Sequence, residues 1–591
     1  ARRVVKADVS SLYPSLMRQY RIGPASDRLG VLLALGRAGP PGLLRRPASR
    51  GYGPWRGEGG AGNPAERGGR DGAARYTVPG RELIDTLDAV RRHDFAARDL
   101  PGHGLKAVAR HFGLAGPERE YVAGARVYAT WCADPQRVRR YALDDVAEAD
   151  GVARLLGGAA FALARMAPRR YERLADAGPA TGVLDPLLVR AYLRAGAALP
   201  ARASGDGTQH TGAALYLLAA GVARRVVKAD VSSLYPSLMR QYRIGPASDR
   251  LGVLLALVDR LVEQRLAAKH RARNAAPGSA ARHTDEALSA AMKILVNSAY
   301  GYMGAVGLTR CSDVAAANEV TRQGRAVLGL LCRELAARGA TLLEADTDGV
   351  YFAVPAGWDE AGERRVVNEV AALLPALVKL EVEGRYAAML SHETKNYALL
   401  GYDGKLILRG VAFRSSRVEP FGETFLRRAI ARLLSDDVPG VRAAYVEMAG
   451  ALRRRALPTA EVAARVRLTK TPEQYQATRA TRREASYEAA LTGGMPHWER
   501  GTQVAVYRAT GGRPALLRES EPETATDTPR DYDTLHYARL LRETFAARLV
   551  RAFSADDYAA LFDNPEQPSL FAPPIETIAP VLTHLMDPPE G

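Results

Sequence analysis

A chain of 591 residues, 47% of them apolar, is too long for one hydrophobic core and has enough apolar side chains for several packed units. Lysine and arginine outnumber aspartate and glutamate by 82 to 65, a net charge of +17 that concentrates polyanions, nucleic acid first among them, near the surface. The three cysteines, Cys132, Cys311 and Cys332, lack the paired spacing of a disulfide framework or a zinc cluster, and no apolar run reaches the roughly 18 to 20 residues that span a bilayer, so a soluble protein of a reducing, intracellular compartment is expected.

In chain order, the first 35 residues recur letter for letter at 223–257. Repeats that build solenoids recur many times and diverge, so a single unchanged copy reads as a duplicated segment and not as a folding unit. Between residues 36 and 70, 16 of the 35 positions are Gly or Pro and seven are Arg, so this segment should be disordered or loosely packed. Helical apolar spacing returns near Asp71 in RELIDTLDAVRR, LKAVARHFGL and YALDDVAEADGVARLL, which predicts a compact domain to about Met166.

Residues 167–222 read as mixed helix and loop, with ARASGDGTQHTG a connection ahead of the strand-like LYLLAAGVARRVVKAD. Residues 251–274 and 286–302 carry helical patterns on either side of a turn, APGSAARHTD, and together predict a helical hairpin. LLEAD and GVYFAV then predict a strand pair around Thr347, Asp348 and Gly349. From about Gly422 the chain reads as largely helical and basic, up to a polar, Pro-rich tail after Asp563.

Two acidic stretches stand out: Asp230, at the end of RRVVKAD, and the pair Asp346 and Asp348 in LLEADTDGVYFAV. Carboxylates at a strand end and a hairpin turn converge only if a cation offsets their repulsion, and hard oxygen donors favour magnesium. In AMKILVNSAYGYMG, Lys293, Asn297, Tyr300 and Gly301 share one helix face, while Arg265 and Lys269 lie at i and i+4 on the preceding helix. The expectation is a nucleoside triphosphate held between a basic helical hairpin and a two-metal acidic site.

DVSSLYPS, KILVNSAYG and ADTDG, in this order, resemble the three polymerase motifs of the family B DNA polymerases, here of the bacterial DNA polymerase II type. The resemblance covers roughly residues 71–166 and 200–571. It implies an α+β multidomain fold, a right hand with an antiparallel palm sheet, a helical fingers hairpin and a mostly helical thumb, joined to a partial RNase H-like exonuclease domain. The implied division is 71–166 exonuclease-like, 167–250 connection and palm, 251–304 fingers, 305–420 palm, 421–563 thumb and 564–591 tail.

By the same resemblance, Asp230 and Asp348 would bind two Mg2+ ions with the Val231 carbonyl as a further ligand, and Asp346 would support the site. One ion would lower the pKa of a primer 3′-hydroxyl and the other stabilise the leaving pyrophosphate. Tyr235 matches the steric gate against a 2′-hydroxyl. Arg265, Lys269, Lys293 and the backbone at Ser233 and Leu234 would hold the triphosphate, while Asn297 and Tyr300 line the nascent base pair. Gly301, the Lys395–Tyr397–Arg409 stretch and Thr469, Lys470 and Tyr475 of LTKTPEQY would meet primer-template DNA. QPSLFA resembles a bacterial sliding-clamp-binding pentapeptide through Gln567, Ser569, Leu570 and Phe571. The implied enzyme is a cytoplasmic, nucleoid-associated monomer that serves DNA replication or repair.

Three departures matter. DTDG replaces the common DTDS, Glu344 stands where a Tyr is often found, and Tyr141 with Asp145 matches only the third exonuclease motif, so proofreading should be lost. Of the two copies, the second should work, since Asp230 precedes Lys293 by one fingers hairpin whereas Asp8 precedes the Gly/Pro/Arg-rich segment. The competing expectation is a catalytically impaired remnant that binds primer-template DNA without extending it.

Overall fold

The computed structural model describes residues 85–97, 100, 102–122, 126–171, 174, 178–202, 207, 209–277, 279–413, 419–495, 497–498, 502–517, 530–563 and 573–589, with the backbone of two short strands before them. These strands, β1 (Leu44–Arg46) and β2 (Arg75–Thr77), pair antiparallel, so the Gly/Pro/Arg-rich segment contributes at least one rung-forming stretch. The first copy of the repeat and the clamp-like Gln567–Phe571 motif lie outside the described residues. The chain divides into two compact units, residues 1–211 with 235–320, and 212–234 with 321–591.

Helices build the first unit: α1 (Thr86–Ala97), α2 (Leu105–His111), α3 (Val127–Ala133), α4 (Pro135–Leu156), α5 (Gly158–Met166) and α6 (Asp185–Arg194). The Asp134 side chain accepts from the Arg137 N–H at 3.0 Å and Pro135 needs no donor, which together start α4. No strand occurs among the described residues from 85 to 166, so the sheet of an RNase H-like domain is not among them. What remains of the expected exonuclease-like domain there is helical.

The fingers hairpin follows α7 (Leu234–Gln241), as α8 (Val253–Asn274) and α9 (Ala280–Met303). The second helix begins six residues earlier than the sequence pattern indicates, because the Ser279 hydroxyl accepts from the Arg282 N–H and caps it there. Met292, Leu295, Val296 and Ala299 are buried, which leaves Lys293 and Asn297 on the exposed face. Asp249, itself buried, joins Tyr192 to the start of α8 by accepting from the Tyr192 hydroxyl at 2.8 Å and the Leu254 N–H at 2.7 Å.

An antiparallel sheet dominates the second unit. Its strands are β3 (Leu215–Leu217), β4 (Ala219–Val231), β5 (Thr341–Asp346), β6 (Gly349–Ala353), β7 (Leu380–Glu393), β8 (Asn396–Gly401) and β9 (Leu406–Arg409), in the order β3-β5-β6-β4-β7-β8-β9. The β-branched and small residues of VARRVVKADV suit a strand flanked on both sides, and β4 is central. It is the second copy of the duplicated segment that forms this strand. A helix, α10 (Val314–Ala337), and α11 (Glu360–Ala371) connect or follow the strands.

Beyond the sheet, α12 (Pro420–Leu434) and α13 (Val438–Arg453) bury Phe421, Phe425, Ile430, Leu433 and Tyr445 in one core with Phe545 and Phe562. The thumb is mostly helical, as expected, and also carries a three-stranded sheet, β10 (Ala464–Arg467), β11 (Gln503–Ala509) and β12 (Arg513–Leu516), which closes over α14 (Pro472–Arg479) and α15 (Ala485–Thr492). The Pro-rich tail also contains a strand: β13 (Leu582–His584) pairs with Ala219–Gly221 of β4. Gly221 permits this at φ 117°, and a β-carbon there would collide with the Val581 carbonyl oxygen.

Candidate active site

Register places the acidic residues. Asp230 is the Cα partner of Gly349 on the β4–β6 side and Asp346 its partner on the β5–β6 side, so both carboxylate-bearing residues flank one glycine. A two-residue turn, Thr347 and Asp348, joins β5 to β6, with Thr347 at φ 55°. The Val231 N–H donates to the Asp348 carbonyl at 2.7 Å and ties the turn to the end of β4. A β-bulge between Lys228 and Ala229 interrupts the β4–β7 pairing just before Asp230, the kind of irregularity that re-aims side chains at sites.

Burial, followed by the neighbouring charges of Asp230 and Asp346, pushes the Asp348 carboxyl up to about 6. Lys228, on the same face of β4 as Asp230, opposes this; its ammonium lies 3.6 Å from Asp230 and also pairs with Glu383. The Lys395 ammonium pairs with Asp346 at 3.3 Å. Glu344, only 1% exposed, accepts the Lys395 N–H at 2.6 Å, and burial first, then the charge of Asp346, raises its carboxyl to about 7. Sequence alone did not single out Lys228, although its i, i+2 spacing to Asp230 on a strand could have done so.

Among the described residues no group of three His, Cys, Asp or Glu side chains converges as a metal cluster. Asp230 and Asp348 are nevertheless hard donors whose repulsion a divalent cation would relieve, so the residues fit such an ion if backbone and substrate oxygens complete its shell.

The first unit holds the other candidate residues. On α9, Lys293 and Asn297 are exposed, with Tyr300 and Gly301 partly so; on α8, Lys269 is exposed and burial lowers the pKa of the half-buried Arg265 guanidinium. The Tyr235 and Tyr300 rings lie 4.6 Å apart, tilted by 34°. The Tyr300 hydroxyl bonds to His210 Nε2 at 2.5 Å, and the His210 ring meets Tyr300 edge-on with centroids 5.6 Å apart. His210 sits in the Gly-containing polar connection, where no periodicity marks a side chain, and nothing in the sequence singles it out. Ser233, at φ 55°, lies in the turn after β4, and the buried Leu234 opens α7 directly behind it.

The expected DNA-contacting residues divide. Lys395, at φ 62°, turns the β7–β8 hairpin, and Tyr397 stands directly opposite Arg409 on β9 while its hydroxyl bonds to that of Tyr351 at 3.0 Å. The Thr469 and Lys470 N–H groups both donate to the Tyr487 hydroxyl, and the Lys470 ammonium pairs with Glu484 at 2.7 Å. Tyr475 is corrected: it is fully buried, stacks on Tyr487 at 4.5 Å and donates to Glu488 at 2.6 Å. A ring with no exposed surface cannot track a duplex, so Tyr475 supports the loop that carries Thr469 and Lys470.

In the exonuclease-like helices, Asp145 and Tyr141 lie one turn apart on α4. The Arg119 side chain, 3% exposed, pairs with Asp145, with Glu148 at 2.6 Å and with Asp144 at 3.4 Å, and its guanidinium lies 5.1 Å from the Tyr141 ring. Lys106 lies 4.2 Å above the same ring and bonds to its hydroxyl. Cations of the protein itself thus engage the carboxylates of this cluster.

Comparison with known proteins agrees with this geometry. The model of DNA polymerase family B matches residues 241–488, which include α9 and both Asp346 and Asp348. DNA polymerase 1 of Pyrococcus abyssi (strain GE5 / Orsay) is 32% identical over 216 residues, 32% of this chain and 28% of that protein. The DNA polymerase of Archaeoglobus fulgidus is 25% identical over 435 residues, 70% of this chain and 55% of that protein. The solved family B DNA polymerase of the hyperthermophilic archaeon Pyrobaculum calidifontis superposes with a TM-score of 0.60 at 22% identity, over 80% of this chain and 64% of that one. The matches thus span from 28% to about half of the length of these two curated relatives. The matched segment, the fold and the ordered motifs thus agree in their likeness to DNA polymerase family B.

Proposed function

We propose that the chain is a DNA-templated DNA polymerase that adds deoxynucleotides to a primer 3′-hydroxyl. The observation that carries this is the convergence of Asp230, Asp346 and Asp348 around Gly349, where burial, and then the charges of the other two carboxylates, raise Asp348 to about 6. Asp230 and Asp348, with the Val231 carbonyl, would hold two Mg2+ ions, which when bound supply charge neutralisation for an attacking hydroxyl and a leaving pyrophosphate. Arg265, Lys269 and Lys293 grip the triphosphate, Tyr235 excludes a 2′-hydroxyl, and Tyr300 supports the nascent pair. Lys395, Arg409, Thr469 and Lys470 hold primer-template DNA through phosphate and groove contacts that carry no sequence preference.

The exonuclease-like helices do not degrade DNA in this reading, because Arg119 and Lys106 already engage Asp145 and Tyr141. The chain acts as a monomer, and the segment from Gln567 to Phe571 docks on a sliding clamp.

Primer extension with magnesium and four deoxynucleotides tests the assignment, comparing the unaltered chain with Asp230→Ala and Asp8→Ala. Extension lost only in Asp230→Ala supports both the activity and the second copy as its seat. Binding without extension in the unaltered chain would replace this reading with that of a DNA-binding remnant.

A further inference from the structure

Lined by none of the candidate active-site residues, a concavity of about 620 Å³ in the first unit falls within the range of sites that hold nucleotide-sized ligands. Five arginines from four separate stretches reach it: Arg169 after α5, Arg190 and Arg194 one turn apart on α6, Arg202 beyond it, and Arg310 in the loop after α9. One carboxylate, Asp185, shares the wall, and it is engaged elsewhere, accepting from the Tyr302 hydroxyl at 2.9 Å and the Arg310 N–H at 3.3 Å.

Among the described residues none of these five guanidiniums pairs with a carboxylate, and Arg190 donates only to the Met166 carbonyl at 3.3 Å. The Arg310 Nε is buried without a hydrogen-bond partner, a group whose desolvation calls for an acceptor. Like charges drawn into one hollow raise its potential unless an anion enters, and forked guanidiniums fit phosphate oxygens in pairs where ammonium groups act as point charges. Leu193, 65% exposed, Val189 and Pro186 add an apolar wall on which a base or sugar can lie.

We propose that this arginine-lined concavity is a second phosphate-binding site, which takes clustered phosphates from either a single nucleic-acid strand or free polyphosphate. Asp185 links its floor through Tyr302 to α9 and accepts from the Arg310 N–H, so these two residues are built into the packed unit, while Arg169, Arg194 and Arg202 reach the site from its exposed rim.

Calorimetric titration of the full chain in chelator, with inorganic tripolyphosphate and separately with a twelve-residue oligothymidylate, tests this. The variants are Arg194→Glu/Arg202→Glu and, as a control of equal charge change, Arg364→Glu/Arg365→Glu on α11. The pocket variant should weaken at least one of the two probes tenfold or more while the control stays within twofold. Loss for tripolyphosphate alone identifies free polyphosphate as the source, and loss for the oligonucleotide identifies the strand. Equal weakening in both variants, or none in the pocket variant, overturns the proposal. Circular dichroism and melting of both variants establish that each is folded.

Discussion

Asp230 and Gly349 face each other across the β4–β6 ladder, and the Asp230 carboxylate fills the space a side chain at 349 would need: a β-carbon there would lie 2.6 Å from Oδ1. Gly349→Val must therefore displace Asp230. We expect the magnesium concentration for half-maximal extension to rise at least fivefold, and stability to fall by about 1–3 kcal/mol from overpacking. An unchanged magnesium dependence, measured by primer extension, would show that Asp230 has room to turn aside at no cost.

Asp348 sets a pH dependence of known sign. Its carboxyl titrates near 6 in the fold against an ordinary value of 3.8, so between these values the folded chain binds more protons than the unfolded one. The Asp348 contribution to stability should fall as pH rises from about 4 to about 6 and then level off, while the raised Glu344 carboxyl extends the loss to about pH 7. Asp348→Asn should flatten that part of the profile and raise the melting temperature at pH 7.5. Extension at low magnesium should fall as pH drops below about 6. Melting curves and rates across pH 4.5 to 8 check both.

His210 holds Tyr300 beside Tyr235 by one hydrogen bond and an edge contact. His210→Phe keeps the ring and removes the bond. Selection of deoxynucleotides over ribonucleotides should fall about 3- to 10-fold, in line with one hydrogen bond of about 1 kcal/mol. Single-nucleotide incorporation with paired dCTP and CTP measures it, and an unaltered ratio would limit His210 to packing.

Arg119 compensates Asp144, Asp145 and Glu148 at once. Arg119→Met leaves buried Glu148 and its neighbours without their cation and should cost about 3–5 kcal/mol in urea denaturation. It should not create degradation of a labelled primer, because a single carboxylate motif remains.

Tyr475→Phe discriminates support from contact in the thumb. It deletes the donor to Glu488, whose carboxyl Arg479, and then Tyr475, hold down at about 2. Stability should fall by about 1–3 kcal/mol, while affinity for primer-template DNA, read by fluorescence anisotropy, stays within twofold.

What the sequence made legible was what has a period or a fixed order. The Lys293–Asn297–Tyr300 face is exposed because the intervening residues are apolar, and the TLLEAD and GVYFA strands follow from unbroken buried runs. Gly349, which the pattern names both as a turn residue and as the first of GVYFAV, belongs to the strand and leaves Thr347 and Asp348 as the turn. Less legible was anything fixed by distant partners. ARVR is a short, charged strand that β11 stabilises, and LTH takes its partner from a strand more than 350 residues earlier. His210 and Arg119 sit in loops, where a side chain's neighbours are set by packing and leave no local pattern. Tyr475 lay in a motif that suggested DNA contact, while its burial depends on Tyr487, 12 residues on.

The pairing of β13 with the beginning of β4 has a consequence for how the chain is made. The strand that carries Asp230 has its first residues laced to Leu582–His584, so the carboxylate's support cannot be complete until residue 584 has emerged. Contacts of such long range form late and slowly, and the sheet edge at Ala219–Gly221 stays open to other chains during synthesis. A nascent chain arrested before residue 582 would therefore carry Asp230 on a strand still missing one of its neighbours.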